Sequence, residues 1–261
     1  MKTLLLCLFF SATAFARGEL ILIGGGKRAP SILQKIIEVA KGNILIVPYA
    51  SEIPDEVAAS IKQELLNFGA VKVDVINCEK ETSCLKQIKN TNLIFFTGGS
   101  QNRLLQRMQG TKALKLIRQR FQKDLSLAGT SAGTAIMSEV MLTGSPRAPY
   151  ETIEGVRPNM VEVTSGFGFV RKMILDQHFI KRDRQNRLLS AVLDQPELVG
   201  VGIDEATAIH IDQDENFTVI GDSDVMIYDA RKAQISVTHL NEYQVQDLVI
   251  KRLTPGSTFR H

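Results

Sequence analysis

The sequence predicts an α/β fold: a three-layer, mainly parallel sheet covered by helices on both faces, with an antiparallel extension toward the C-terminal end. Three observations carry that expectation. Short β-rich apolar runs alternate with helical patterns through the first half of the chain. Two of those runs end in glycine turns, which a parallel sheet would bring to the same edge. Beyond about residue 173, short strands follow one another across polar turns, the spacing of antiparallel neighbours.

Taken in order, strands are expected at 20–23, 44–47, 71–75, 93–96 and 125–128. Between them Ile32, Leu33, Ile36, Ile37 and Ala40 fall on one helical face and Val57, Ile61 and Leu65 on another, with Pro54 suited to a first helical turn. The segment 143–168 is rich in Gly, Pro and polar residues and is expected to wrap the surface as loops. A strand at 173–175, a helix at 186–192 and strands at 198–203, 206–211 and 217–220 complete the pattern, the last two flanking a polar turn at 212–215. No repeat, low-complexity tract or linker interrupts it, so residues 17–261 are read as one α/β domain.

Composition agrees with a globular enzyme: 261 residues, 44% hydrophobic and 23% charged, which excludes disordered and fibrous classes. The 31 basic and 28 acidic residues leave a net charge of +3, so no long-range field selects nucleic acid or a membrane as partner. The first sixteen residues differ. Lys2 precedes the apolar run 4–10 and then Ala14-Phe15-Ala16, a small-x-small site, so 1–16 reads as a signal peptide and the mature chain as exported, periplasmic or secreted, starting at Arg17. Cys7 would leave with the leader. An oxidising destination favours a disulfide between Cys78 and Cys84, and two unlinked thiols in a surface loop is the equal alternative.

The chemistry concentrates at Gly129-Thr130-Ser131-Ala132-Gly133, which follows an apolar strand and precedes a helix-compatible stretch over 134–140. A G-x-S-x-G in that place is a nucleophile elbow, whose strained turn pushes the hydroxyl out. The Ala132 amide then points where the serine does, as one oxyanion donor. Thr97-Gly98-Gly99-Ser100-Gln101 leaves the strand at 93–96 on the same edge, so the amides of Gly98 and Gly99 are candidates for the second donor and Gln101 for a substrate-orienting group. A plain strand-to-helix turn explains the two glycines equally well.

A serine needs a proton acceptor. Of four histidines, His261 is terminal, His239 lies in a late polar segment and His210 sits inside a strand pattern, whereas His178 follows a strand end and is the preferred base. Asp204 and Glu205, after the strand at 198–203, are both placed to orient it. The order serine, histidine, acid differs from that of α/β-hydrolases. Arg182, Arg184 and Arg187 form either a carboxylate clamp or a solvated basic surface. Gly24-Gly25-Gly26-Lys27-Arg28-Ala29 fits a dinucleotide fingerprint, but Tyr49, Ala50 and Ser51 stand where a ribose-binding acid belongs, so no nucleotide cofactor is expected. No His/Cys spacing suggests a metal.

Together, Gly24-Gly25-Gly26, Pro48-Tyr49-Ala50-Ser51, Phe96-Thr97-Gly98-Gly99-x-Gln101, the elbow, Asp176-Gln177-His178-Phe179-x-x-Arg182-x-Arg184-x-x-Arg187 and Gly202-Ile203-Asp204-Glu205 resemble the cyanophycinase family of serine peptidases. The resemblance implies a class I glutamine-amidotransferase-like, flavodoxin-like fold, a homodimer, and exopeptidase cleavage of an arginyl-polyaspartate to β-Asp-Arg dipeptides without a cofactor. It further implies Ser131 as nucleophile, His178 as base, Glu205 as its acid, and Gln101, Asp176, Gln177, Arg182, Arg184 and Arg187 as pocket residues. One position departs from the family: Ser100 stands where it usually has aspartate, an acid suited to a cationic arginine arm. An aspartyl or isoaspartyl dipeptidase, which shares the elbow, is the nearer rival, and a non-catalytic peptide-binding protein the more distant one.

Overall fold

The structure, a computed structural model, describes residues 17–260. The expected leader 1–16, with Cys7, and His261 lie outside the described residues. The elements, in chain order, are β1 (Leu20–Ile23), α1 (Pro30–Ala40), β2 (Asn43–Val47), α2 (Pro54–Asn67), β3 (Lys72–Val75), α3 (Glu81–Lys89), β4 (Leu93–Phe96), α4 (Gln101–Met108), α5 (Lys112–Phe121), β5 (Ser126–Thr130) and α6 (Ala132–Ala135). They continue as β6 (Val140–Pro146), β7 (Val161–Ser165), β8 (Met173–Gln177), α7 (Gln185–Asp194), β9 (Val199–Ile203), β10 (Thr207–Ile211), β11 (Phe217–Gly221), β12 (Val225–Asp229), β13 (Gln234–Val237), β14 (Tyr243–Gln246), β15 (Val249–Leu253) and β16 (Thr258–Phe259).

The main sheet has eight strands in the order β16-β11-β10-β1-β5-β4-β2-β3. From β1 to β3 all neighbours are parallel, and β10, β11 and β16 extend the sheet antiparallel beyond β1. Its strands are apolar on both faces because both faces are covered. Ile21, Ile23, Ile44, Ile46, Leu93 and Phe95 pack under α1 and α2 against Ile32, Ile36, Ile61 and Leu65. Leu22, Leu45, Val47, Ile94, Phe96 and Leu127 pack on the other face against Ile88, Leu104, Ile117 and Phe121. Pro54 opens α2 as its spacing predicts.

Three expectations need correcting. The late strands do not all extend the main sheet: β8, β9, β12 and β15 form a second sheet in the order β15-β12-β9-β8, and β8 runs parallel to β9. Burial explains why the sequence hides this, since α7 covers one face of that sheet and the main body the other, so β8 and β9 are as fully buried as β1, β4 and β5. The segment 143–168 is not all loop, because β6 and β7 pair as an antiparallel hairpin with an irregularity between Leu142 and Pro146. The helix expected over 134–140 stops at Ala135, where the carbonyls of Ile136, Met137 and Ser138 are taken by the amides of Phe167, Gly168, Phe169 and Val170.

Candidate active site

Strand β5 runs straight into Ser131, whose backbone at φ 53° and ψ −113° lies where only glycine rests without strain. Neighbouring bonds hold it there. The Ser131 amide donates to the carbonyl of Ile23 at 3.0 Å. The Thr134 hydroxyl donates to Ile23 and Gly129 carbonyls, both at 2.7 Å. Gly129 lies against the Gly133 backbone with no room for a Cβ, so the outer glycines of the motif let β5 and α6 touch.

The imidazole of His178 lies between serine and acid. Its Nε2 is 2.8 Å from Ser131 Oγ and its Nδ1 is 2.6 Å from Glu205 Oε1, which sets the proton on Nδ1 and leaves Nε2 to accept from the serine. Burial pushes the His178 pKa below 6.5, the Arg182 and Arg184 charges push it the same way, and Glu205 opposes them. The ring is therefore neutral and able to accept a proton at neutral pH. Asp204, the other acid considered, binds elsewhere: Oδ1 accepts from the amides of Ile180 and Lys181 at 3.1 and 2.9 Å, and Oδ2 from the Ser223 hydroxyl at 2.9 Å.

The glycine triplet after β1 joins these parts, a role that sequence reasoning missed. Gly24 accepts from the His178 amide at 2.7 Å and donates to Thr207 at 2.9 Å, and Gly25 accepts from the Ala206 amide at 3.0 Å. Gly25, at φ 117°, lies flat under the imidazole: a Cβ there would come within 2.5 Å of Nε2. The signal was available, as three glycines that lack a ribose-binding acid call for another close neighbour.

Gly98 is beside Ser131, since a Cβ built on it would sit 3.4 Å from that of the serine, whereas Gly99 packs on the Ala50 backbone. Ser100 caps α4, accepting from the Arg103 amide at 3.3 Å. Gln101 is buried and its amide nitrogen donates to the carbonyls of Leu142 and Thr143 at 3.0 and 2.6 Å, tying α4 to the β6 hairpin. Asp176 is fully buried and takes a forked pair of bonds from Arg187, with Arg184 3.6 Å away. Arg184 also donates to the side chain of Gln177 at 2.5 Å, while Arg182 is exposed on the turn after His178. Of the three arginines only Arg187 belongs to a helix.

A cleft of about 660 Å³ opens between the turns after β2 and β4, lined by Arg28, Ser51, Glu52, Gly98, Ser100 and Arg103 among others. That position is the switch point of the parallel strand order, where α/β sheets bind ligands. A larger cavity, about 740 Å³, opens beside Leu20 and Phe167; Ser131, His178 and Glu205 line neither space, and the cleft comes nearest through Gly98. Cys78 and Cys84 form a disulfide after β3. His210 lies in β10 with Nε2 2.6 Å from Glu19, and His239 is exposed. Among the described residues no group of three or more His, Cys, Asp or Glu is arranged to hold a metal, and no helix is long and apolar enough to cross a membrane.

The model of the family described as Peptidase family S51 matches residues 20–219, a span that holds the elbow, His178 and Glu205. The chain belongs to that family. It is accordingly a serine-type peptidase, a hydrolase. Its relatives include the cyanophycinase of Trichormus variabilis, 34% identical over 214 residues covering 79% of this chain and 68% of that protein. The cyanophycinase of Geminocystis herdmanii is 32% identical over 231 residues, covering 83% and 82%. Among solved structures, a peptidase from an acI-B1 Actinobacterium superposes with a TM-score of 0.69 at 23% identity, covering 95% of this chain and 98% of the other. A putative peptidase E protein from Listeria monocytogenes gives 0.57 at 20% identity, covering 80% and 100%. These two likenesses concern the fold.

Proposed function

We propose that this family member is an exported exopeptidase that hydrolyses cyanophycin, an arginyl-polyaspartate, to β-Asp-Arg dipeptides through Ser131, His178 and Glu205. The observation that carries the reading is the unbroken chain of contacts from Ser131 Oγ through the imidazole to Glu205, at the carboxyl edge of the sheet. Neutral His178 takes the hydroxyl proton at Nε2 as Oγ attacks the carbonyl carbon, and Glu205 stabilises the imidazolium. The oxyanion rests on the amides of Ala132 and of Gly98 or Gly99. The imidazolium then gives its proton to the leaving amine, the C–N bond breaks, and an acyl-serine remains. Water, deprotonated by the same Nε2, releases the acid and restores the serine.

The relatives named cyanophycinase support this substrate. Gln101, Asp176, Gln177, Arg182, Arg184 and Arg187 are read as the walls that orient it, with Asp176 acting through Arg184 and Arg187. The fold class is read as class I glutamine-amidotransferase-like: β2 to β5 stand in the order β3-β2-β4-β5, the first four places of the doubly wound 2-1-3-4-5 arrangement, and β1 takes the fifth. An enzyme outside the cytoplasm would scavenge external polymer rather than an internal reserve, and no metal, nucleic acid or membrane enters the scheme. Assembly as a homodimer belongs to the same reading.

One observation favours a second reading, an aspartyl or isoaspartyl dipeptidase: the Ser100 hydroxyl caps α4, and the acid that shares its cleft, Glu52, is already paired with Arg103 and not left for a cationic arm. The intact serine, histidine and glutamate argue against a protein that only binds peptides. Mass spectrometry of products from cyanophycin and from soluble aspartyl dipeptides, with Ser131→Ala alongside, decides between them. β-Asp-Arg released by the unmutated protein and suppressed at least ~10⁴-fold by Ser131→Ala is expected. Cleavage of dipeptides alone would transfer the assignment, and equal activity in the variant would remove Ser131 from it.

A further inference from the structure

Asp204 precedes the acid that holds the imidazole, and its own carboxylate is buried and fully engaged. The turn it binds is the one on which His178 is mounted. His178 has a left-handed backbone at φ 51°, and the residues after it fold back, with Arg182 donating to the His178 carbonyl at 3.0 Å. The near end of that turn is anchored by the His178 amide on Gly24 and by Phe179, whose amide donates to Ile203 at 3.2 Å and whose ring is buried on Gly202. The far end is different. Lys181, Arg182 and Asp183 are exposed and Ile180 is 37% exposed, so apolar burial does little to hold it.

Besides the turn's own bonds, Asp183 to Ile180 at 3.2 Å and Arg184 to Phe179 at 3.0 Å, the far end is tied to the strand beneath it by Oδ1 of Asp204, which accepts from two successive amides, Ile180 and Lys181. Its Oδ2 is held by the Ser223 hydroxyl. Ser223 in turn donates its amide to Thr207 Oγ1 at 2.8 Å, and Thr207 Oγ1 donates to the Glu205 carbonyl at 3.2 Å. A single polar path therefore runs from the turn under the base to the backbone under the acid. Two adjacent residues grip one histidine from two sides, Glu205 by its ring and Asp204 by the main chain beneath it.

We infer that Asp204 is a positioning residue for the reaction, setting where His178 stands relative to Ser131. The inference rests on the reading above that His178 serves as the base. It assigns Asp204 a task that the carboxylate performs through backbone amides alone, so an acceptor oxygen, not a negative charge, is what the position requires.

The test uses Asp204→Ala, Asp204→Asn and Ser223→Ala in the full chain, with three readouts: the rate at which a fluorophosphonate labels Ser131, the titration of the His178 ring by NMR, and thermal melting. Asp204→Ala is expected to slow labelling about 10- to 100-fold, the effect of roughly an ångström of displacement, and to move the His178 titration up toward its ordinary range as the ring becomes wetter. Asp204→Asn keeps an oxygen for both amides and should restore labelling to within about threefold of the unmutated rate. Ser223→Ala, which frees Oδ2 and leaves the turn amides untouched, should slow labelling roughly three- to tenfold, and it keeps the question open to measurement if Asp204→Ala does not fold. A purely structural role would lower melting while leaving labelling per folded molecule and the His178 titration unchanged, and that result overturns the inference. Equal slowing by Asn and Ala overturns it as well. If the unmutated protein is not labelled at all, the peptidase mechanism fails, while the His178 titration in the variants still decides whether Asp204 anchors the turn.

Discussion

Replacing Gly25 by alanine isolates the close approach between the first glycine turn and the base. The added Cβ would come within 2.5 Å of His178 Nε2, whereas ordinary contact begins near 3.4 Å, so about 1 Å must be found somewhere. The turn is poorly able to yield it. Its carbonyls and amide are bound to His178, Ala206 and Thr207 at 2.7, 3.0 and 2.9 Å. The ring must shift instead, away from a serine oxygen 2.8 Å distant. A displacement of that size costs about 10²-fold in rate, or about 2.7 kcal/mol of transition-state stabilisation. A side chain at φ 117° adds about 1–3 kcal/mol of backbone strain, which lowers thermal stability without touching chemistry. Steady-state kcat/KM on whichever substrate the unmutated protein cleaves, together with fluorophosphonate labelling and a thermal melt, separates the two effects. Gly69→Ala is the control, because Gly69 has φ 104° but nothing within 4 Å of a built Cβ: it should melt earlier and react normally. Normal kcat/KM and labelling in Gly25→Ala would refute the reasoning.

Three further outcomes are expected. Because burial and then the Arg182 and Arg184 charges hold the His178 pKa below 6.5, and the base must be neutral, kcat/KM should be full above that lowered value and fall as pH drops through it. Arg182→Gln removes a charge that disfavours imidazolium, so the acid limb should move to higher pH, and a limb that stays or moves down counts against the assignment. Asp176→Ala strands the buried Arg187 guanidinium without its forked partner, and urea unfolding should show a loss of about 3–5 kcal/mol. Reduction of the disulfide, or Cys78→Ser with Cys84→Ser, opens a loop of sequence separation 6 and should cost about 2 kcal/mol by the loop-entropy argument, leaving kcat/KM unchanged because β3 stands three strands from β5.

The sheet was readable where burial is two-sided and turns are abrupt. β1 and β4 lie where their unbroken apolar runs end in glycine, and β5 extends two residues past its apolar run because Gly129 and Thr130 continue the strand into the elbow. The β6–β7 hairpin was hidden by Gly144 and Pro146, which read as loop, and by the irregular pairing that accommodates them. Partition of the late strands between two sheets was not readable because local pattern reports burial, not which neighbour supplies it. At the site, residue type and strand ends singled out Ser131 and His178. Between Asp204 and Glu205 the residues alone left the choice open and the family resemblance pointed to Glu205; in the structure Glu205 meets the imidazole and Asp204 the amides of Ile180 and Lys181. The arginine segment read as either a clamp or a solvated surface, and it divides between the two: one guanidinium is spent on buried Asp176 and another faces solvent.

Strand β1 lies between β5, which runs into Ser131, and β10, which begins just after Glu205, with Leu20 paired to Leu127 on one side and to Ile211 on the other. Strand β1 must thus wait until β10 is made to have both of its neighbours. If Ser131, His178 and Glu205 act as proposed, a growing chain that has reached Ser131 has a nucleophile with no base, and one that has reached His178 still lacks its acid. On that proposal hydrolytic power should arrive late and all together, and neither a nascent chain nor a fragment cut between the two halves should carry a working blade. Closing the long loop between β1 and β10 should make this joint slow to form in refolding, and the appearance of a labelled serine would then time completion of the sheet.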